Sequence, residues 1–532
     1  MKKKETLTGE EWALVAVFAV SLFVKIPFLA AIHGDPAFVL PIVDSLEFHS
    51  WAREIMLDWA GGWTAIKNHP PLYAYFVAVI YSAIGYSTLA VAAVQYVMFS
   101  ISTALVYLIS ARLFGRAAAL FSCALMTFYW FFLCTQSFLY SENLSLFLNL
   151  CCAACLLFMA DSRKKFIISG VLLGLSAACR AEILVVAALI SVWFLAGAGA
   201  VKNPVKAYGL FLCGVALALA PVMARNYAVS DRLVFRSLMG ANLYLGSNPA
   251  FNGTSVFLET GKQWKDFMAI PDKAANKKLT DLENDRYFIA ETGRLIGKAP
   301  RAWAKFAVSK ITAVWTGTEF LRTEDVYVLE KYFPARPYFR LIRLELIFVS
   351  AFIGMVFSFS RARRFLLAYV FILSWVVFVV FPLKTRYFVP VLPFLILFSG
   401  FGLARLYEAL RRRQLLAASA AGGVIIFFLL LAAYNPLKPQ APDASETYYA
   451  IAKNYAEMGD EESASKFFLA CLRLNPGNSS AMNDYGALLM DAGRDTEAVG
   501  YFKWALEADG ADQLARDNYE KCLEKIRAAG RG

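Results

Sequence analysis

The sequence predicts an all-α protein, a polytopic membrane bundle of about 11 spans followed by a small helical tail. Three observations predict it. Hydrophobic residues make up 59% of the 532 positions and charged residues 18%, where a soluble domain has about 25% charged. The apolar residues fall in blocks of membrane-spanning length. Beyond about residue 436 the composition turns polar and repeats with a period of 34 residues. These figures exclude a single soluble domain, a disordered chain and a collagen-like repeat.

The formal charge of +12 does not point to nucleic acid. Lys and Arg collect in short loops between apolar blocks, as cytoplasmic loops do. The nine Cys show no paired spacing and no zinc pattern, and seven lie in apolar stretches as small hydrophobes.

Met1-Lys2-Lys3-Lys4 precedes an apolar block at about 11–31. It is long for a signal sequence and lacks a small-residue cleavage site, so it reads as an uncleaved first span with a cytoplasmic N-terminus. Further spans are expected near 89–111, 117–137, 143–160, 166–181, 183–199, 207–224, 341–359, 365–382, 388–406 and 415–434. Inside loops are marked by Arg112 and Arg116, by Arg163-Lys164-Lys165, by Lys202 and Lys206, by Arg361, Arg363 and Arg364, and by Arg411-Arg412-Arg413. These agree if the apolar segment 72–88, short and rich in Tyr and Gly, lies in or dips into the outer interface instead of crossing.

External regions then cover about 32–88, about 225–340 and the tail. The chain divides into a membrane domain at 1–435, a Pro-rich linker at 436–444 and a tail domain at 445–532. In the tail, Gly459 and Gly493 are 34 residues apart, as are Ala464 and Ala498, Phe468 and Phe502, and Leu472 and Leu506. This helix–turn–helix period resembles the tetratricopeptide repeat. Two repeats and a final helix near 513–527 would form a capped solenoid that contacts a protein or peptide, or that simply braces the external face.

Charged groups near a bilayer persist with partners, water or a task. The first external loop carries Asp44, Glu47, His49 and Arg53 within about three helical turns, and closes on Asn68-His69-Pro70-Pro71. An acid there can take a proton from an attacking hydroxyl, or can hold a divalent cation with Glu47, His49 and His69. Solvated loop residues are the plainer alternative. Glu142 is the only carboxylate between Asp58 and Asp161 and stands between two spans at the same face. Ser141 as a helix cap, with Glu142 on the positive helix end, is its structural alternative. Arg180 and Glu182 lie between the next two spans and can neutralise each other. Arg225, Lys384 and Arg386 sit at other outer helix ends. Together these cations would form an electropositive socket beside two acids, suited to a lipid phosphate.

The blocks VDSLEFHSWA (43–52), HPPLYAYF (69–76), ARLFGRAAAL (111–120), YSENL (140–144), GVLLGLSAACR (170–180), RNY (225–227), ANLYLGSNP (241–249), WTGTE (315–319) and RYFVPVLP (386–393) occur in one order. Together they resemble the GT-C glycosyltransferase superfamily, in its protein mannosyltransferase, aminoarabinose transferase and rhizobial lipopolysaccharide transferase branch. The likeness covers about 10–434. It implies a GT-C-like bundle that takes a sugar from a polyprenyl-phosphate carrier and passes it, with inversion, to a lipid, glycan or protein acceptor on the extracytoplasmic side of the inner membrane. The family's loop acid maps to Asp44 and its second-loop acid to Glu142. Arg386 and Arg225, then Lys384 and Arg180, would hold the carrier phosphate. His69 stands where aminoarabinose enzymes carry Lys, and Glu47 stands three residues from Asp44 where relatives often have adjacent acids. The 241–249 block resembles the loop that closes over the sites. The competing readings are a polymerase or ligase of lipid-linked glycans, a lipid or solute transporter, and a membrane-anchored scaffold.

Overall fold

The computed structural model describes residues 9–33, 38, 40–41, 43–59, 67–160, 162–197, 201–231, 239–251, 267–316, 342–374, 380–433 and 444–529, the side chains of 43, 361 and 363 excepted. The linker up to residue 443, the Asn252-Gly253-Thr254 sequon and most of the 315–319 block lie outside them. Among the described residues there is no strand, and one isolated bridge joins Tyr129 to Ile342.

The chain begins with α1 (Gly9–Ile32), which spans by length and composition. α2 (Val43–Leu57) carries Asp44 in its first turn. α3 (Leu72–Ile84) is the segment read as dipping. Its 13 residues reach about 20 Å, short of the ~30 Å hydrocarbon layer. α4 (Thr88–Phe114) starts at Ser87, whose side chain accepts from the Ala90 N–H. The single span expected at 117–137 is instead two helices, α5 (Arg116–Phe128) and α6 (Trp130–Thr135). They break at Tyr129, whose backbone is extended.

α7 (Ser141–Phe158), α8 (Arg163–Ala177), α9 (Leu184–Leu195) and α10 (Pro204–Ser230) follow. The external region holds α11 (Met239–Ser247), α12 (Ile270–Ala275), α13 (Asp281–Lys298) and α14 (Pro300–Trp315). α15 (Leu344–Ser358), α16 (Ala362–Leu373), α17 (Leu392–Arg411) and α18 (Leu415–Ala433) complete the bundle. Among the described residues, six helices, α1, α4, α7, α10, α17 and α18, are long and apolar enough to cross a bilayer. The other expected spans are shorter helices.

Helix pairs approach closely where one side lacks a side chain. A Cβ on Gly170 would stand 2.0 Å from the Phe211 carbonyl oxygen, and one on Gly214 would stand 2.3 Å from that of Ile167. These contacts press α8 onto α10. Gly354 and Gly402 do the same for α15 and α17, where Ser350 and Ser399 also share a hydrogen bond of 2.5 Å. Small residues at crossings are how membrane helices gain packing without a hydrophobic driving force.

The tail is five helices: α19 (Ala444–Glu457), α20 (Glu461–Leu474), α21 (Ser479–Asp491), α22 (Asp495–Ala508) and α23 (Gln513–Ala529). Its period is visible in the backbone. Gly459 and Gly493, 34 residues apart, adopt φ +78° and +75° at the two turns, where a Cβ would be strained. Ala464, Phe468, Ala498 and Phe502 are buried in matching places. The tail also touches the membrane domain, because Asn454 Nδ2 donates to the Leu40 carbonyl at 3.2 Å.

The glycine crossings give a direct test. Gly354→Ala should lower the thermal midpoint in detergent, at a cost of about 1–3 kcal/mol, because backbone must move. Gly422→Ala, with open space at its Cβ, should leave the midpoint unchanged or raise it.

Candidate active site

Residues from four separated stretches converge at the ends of the spans. Arg386 donates to the Asp44 carboxylate, and its Nε lies 3.8 Å from Glu142 Oε1. Arg180 Nη1 donates to the same oxygen at 2.9 Å, and Arg180 Nε donates to Glu182 Oε1 at 2.6 Å. The result is an alternating row: Asp44, Arg386, Glu142, Arg180, Glu182. It runs from partly open to closed. Side-chain exposure is 21% at Asp44, 12% at Arg386 and 3% at Glu142.

Each member sits where a helix stops. Glu142 is in the first turn of α7, whose cap is Tyr140 in extended conformation. Ser141 does not cap; its hydroxyl donates to Glu142 Oε2 at 3.3 Å. Arg180 lies in the break between α8 and α9, just before the 3₁₀ turn Ala181–Ile183. Arg386 lies in the 3₁₀ turn Thr385–Phe388 ahead of α17. Asn149 Nδ2 holds the following Pro390 carbonyl at 3.0 Å.

Tyr387 is the feature that sequence reasoning missed. The cations of Arg180, Lys384 and Arg386 lie 4.6, 5.2 and 5.6 Å from its ring centre. Burial works to raise its pKa, but Lys384, Arg386 and Arg180 together outweigh burial and hold the phenol below its ordinary value. The spot therefore favours negative charge. The only sequence signal was its place between Arg386 and Phe388 in the 386–393 block.

A second missed group supports Glu142 from behind. Gln95 Nε2 donates to the Gln136 and Phe138 carbonyls at 2.9 and 3.0 Å, and Gln95 Oε1 accepts from Tyr73 and Asn143 at 2.8 and 2.9 Å. Gln136 Nε2 donates to Asn143 Oδ1 at 2.8 Å. Such a saturated buried network fixes the 136–143 turn, and with it the carboxylate.

The first loop adds a second acid. His69 Nε2 stands 3.6 Å from Glu47 and 4.0 Å from Asp44, with its ring 4.9 Å from that of Phe48. Burial, and then the Asp44 charge, push the Glu47 pKa up to about 7, against hydrogen bonding from Asn68 and the Lys67 charge.

One sequence expectation needs correction. His49 does not join Asp44, Glu47 and His69; its Nδ1 pairs with the Tyr81 hydroxyl at 2.8 Å. Burial, then Arg53, lower its pKa. No group of three or more His, Cys, Asp or Glu that could hold a metal ion exists among the described residues, so the four-ligand set does not form. Arg225 Nη1 donates to the Oδ1 of its neighbour Asn226 at 2.9 Å.

Residues 68–226 match the family of dolichyl-phosphate-mannose-protein mannosyltransferases. The match covers less than a third of the chain. It includes His69, Glu142, Arg180 and Arg225, while Asp44, Lys384 and Arg386 lie outside it. Residues 445–478 match the tetratricopeptide repeat. No curated protein matches the chain in sequence. Among solved structures, this chain is similar to the oligosaccharyltransferase AglB of Archaeoglobus fulgidus, in complex with an inhibitory peptide and a dolichol-phosphate. The TM-score is 0.45 at 13% identity over 85% of this chain. The aminoacid chain spans 59% of that relative's length. It is also similar to ArnT of Cupriavidus metallidurans in the apo state (TM-score 0.43, 16% identity, 96% of this chain and 77% of that one) and bound to undecaprenyl phosphate (0.35, 15%, 76% and 79%).

Two outcomes test the site. Removing one partner of a buried ion pair strands the other charge, at about 3–5 kcal/mol. Arg180→Met should therefore lower the thermal midpoint strongly, and Arg180→Met/Glu142→Gln should recover part of the loss. Glu47 gives a pH signature. Between pH 4.5 and about 7 the folded state keeps its proton while the unfolded carboxyl has lost it. Stability should fall as pH rises through that window. Glu47→Gln should flatten the fall in midpoint against pH.

Proposed function

We propose that this chain is a membrane glycosyltransferase that moves a sugar from a polyprenyl-phosphate carrier to a lipid, glycan or protein acceptor on the extracytoplasmic face. The observation that carries the reading is the Asp44–Arg386–Glu142–Arg180 row with Lys384 and Tyr387 against it. The mannosyltransferase-family match supports the reaction class.

The chemistry follows from charge. The acceptor oxygen bonds to the anomeric carbon as the bond from that carbon to the carrier phosphate breaks. The hydroxyl proton goes to Asp44. The bonding pair goes to the phosphate, which leaves with one more negative charge. Arg386 and Lys384 stabilise that charge. Arg386 is already bonded to Asp44, so an arriving phosphate competes for the guanidinium. That competition leaves the carboxylate to take the acceptor's proton. Glu142 keeps Arg386 in place from its buried side. Attack of the acceptor oxygen on the face of the anomeric carbon opposite the breaking bond gives inversion.

The localisation is read from charge. Arg112, Arg116, Arg163 to Lys165, Lys202, Lys206, Arg361 to Arg364 and Arg411 to Arg413 support a reading with those loops and the N-terminus in the cytoplasm, and the acids and repeat tail outside the inner membrane. Lipid tails then run between the spans, and the repeats face envelope proteins.

The test uses purified protein, a labelled polyprenyl-phosphate sugar and candidate acceptors. Asp44→Asn should cut transfer by about 10²-fold or more with no change in yield or midpoint. Near-normal turnover in that variant would remove Asp44 from the mechanism. Movement of whole glycan chains in place of single sugars would mean a polymerase or ligase.

A further inference from the structure

Lys310 lies on α14 in the long external region and is 0% exposed. Its Nζ donates to the Gly246 carbonyl at 2.6 Å and to the Phe381 carbonyl at 2.7 Å. The Phe306 ring centre is 5.6 Å away. Burial pushes its pKa down to about 7, yet the ammonium and the amine can each donate to both carbonyls.

The two acceptors belong to different elements. Gly246 is at the C-terminal end of α11, where helix carbonyls lack partners. Phe381 opens the stretch that leads, three and five residues on, to Lys384 and Arg386. Two carbonyls cannot pair with each other, so a donor must stand between them. They come together because residue 246 has no side chain: a Cβ there would lie 2.3 Å from the Phe381 carbonyl carbon. Ser247 Oγ adds a bond to the Val380 carbonyl at 3.3 Å. At its other end α11 is tied down by the Gly240 N–H on Asp285 Oδ1 at 2.5 Å. A methionine would be cheaper to bury than this lysine. What the lysine adds is the bridge.

We propose that Lys310 is a positioning residue for sugar transfer: it clamps α11 to the 380–386 stretch and thereby sets Lys384 and Arg386 where the leaving phosphate gains charge. The proposal rests on the transferase reading above.

The experiment uses the full chain in detergent with the labelled carrier sugar. Lys310→Met should lower kcat about tenfold or more, as small misplacements of charge do, with acceptor KM changed less than about twofold. A second variant keeps the result interpretable if Lys310→Met is also less stable: Ser247→Cys/Val380→Cys in the Lys310→Met background. Oxidation should link the two segments and restore kcat to within about threefold of the same Cys pair carrying Lys310; reductant should abolish the rescue. Full kcat in Lys310→Met overturns the proposal, and so does a linked, folded variant that stays slow. An inactive wild type overturns the transferase reading instead, and this role with it.

Discussion

The site depends on one buried carboxylate. Glu142 and Arg180 are 3% and 6% exposed and 2.9 Å apart. Neither charge could stay out of water alone. Arg180 is in turn shared with Glu182, and Glu142 with Arg386. Each guanidinium therefore has a carboxylate on both sides. The loops between α6 and α7, between α8 and α9, and ahead of α17 must meet for this to happen. Their meeting point is also where Asp44 finds its cation.

The arrangement ranks the charged groups by job. Those at the closed end of the row hold geometry. At the other end Asp44 and Arg386 stay partly open, at 21% and 12% side-chain exposure, while Lys384 is buried. Tyr387 reports the excess: a phenol is acidified where three cations face it. The polar network of Gln95, Gln136 and Asn143 supplies stiffness behind the acid, as neutral side chains can without disturbing the field.

Much of this was legible in the sequence, for identifiable reasons. Apolar block length and loop basicity gave the bundle, since bilayer thickness and charge translocation leave a direct imprint. The 34-residue period gave the tail, because Gly459 and Gly493 occupy a backbone conformation that other residues enter at a cost. Asp44 and Glu142 stood out as acids at span ends. What could not be read was pairing. No local pattern says that Arg386 meets Asp44, 342 residues away, while Arg225 turns to its neighbour Asn226. His49 looked like a ligand and is a partner for Tyr81 because α2 and α3 pack face to face. The break at Tyr129 escaped notice because the residues on both sides are equally apolar. Gln95 and Asn143 carry no charge, so nothing in composition flags them.

The long reach of these contacts has a consequence for biogenesis. Chains are made from the N-terminus and their parts fold in that order. Glu142 and Arg180 enter close together, so the inner pair can form early. Asp44 must wait until residue 386 has emerged, and Leu40 until Asn454 has. A chain stalled or clipped before residue 386 would leave Asp44 without that guanidinium, and one stopped before residue 454 would leave the Leu40 carbonyl without its amide partner.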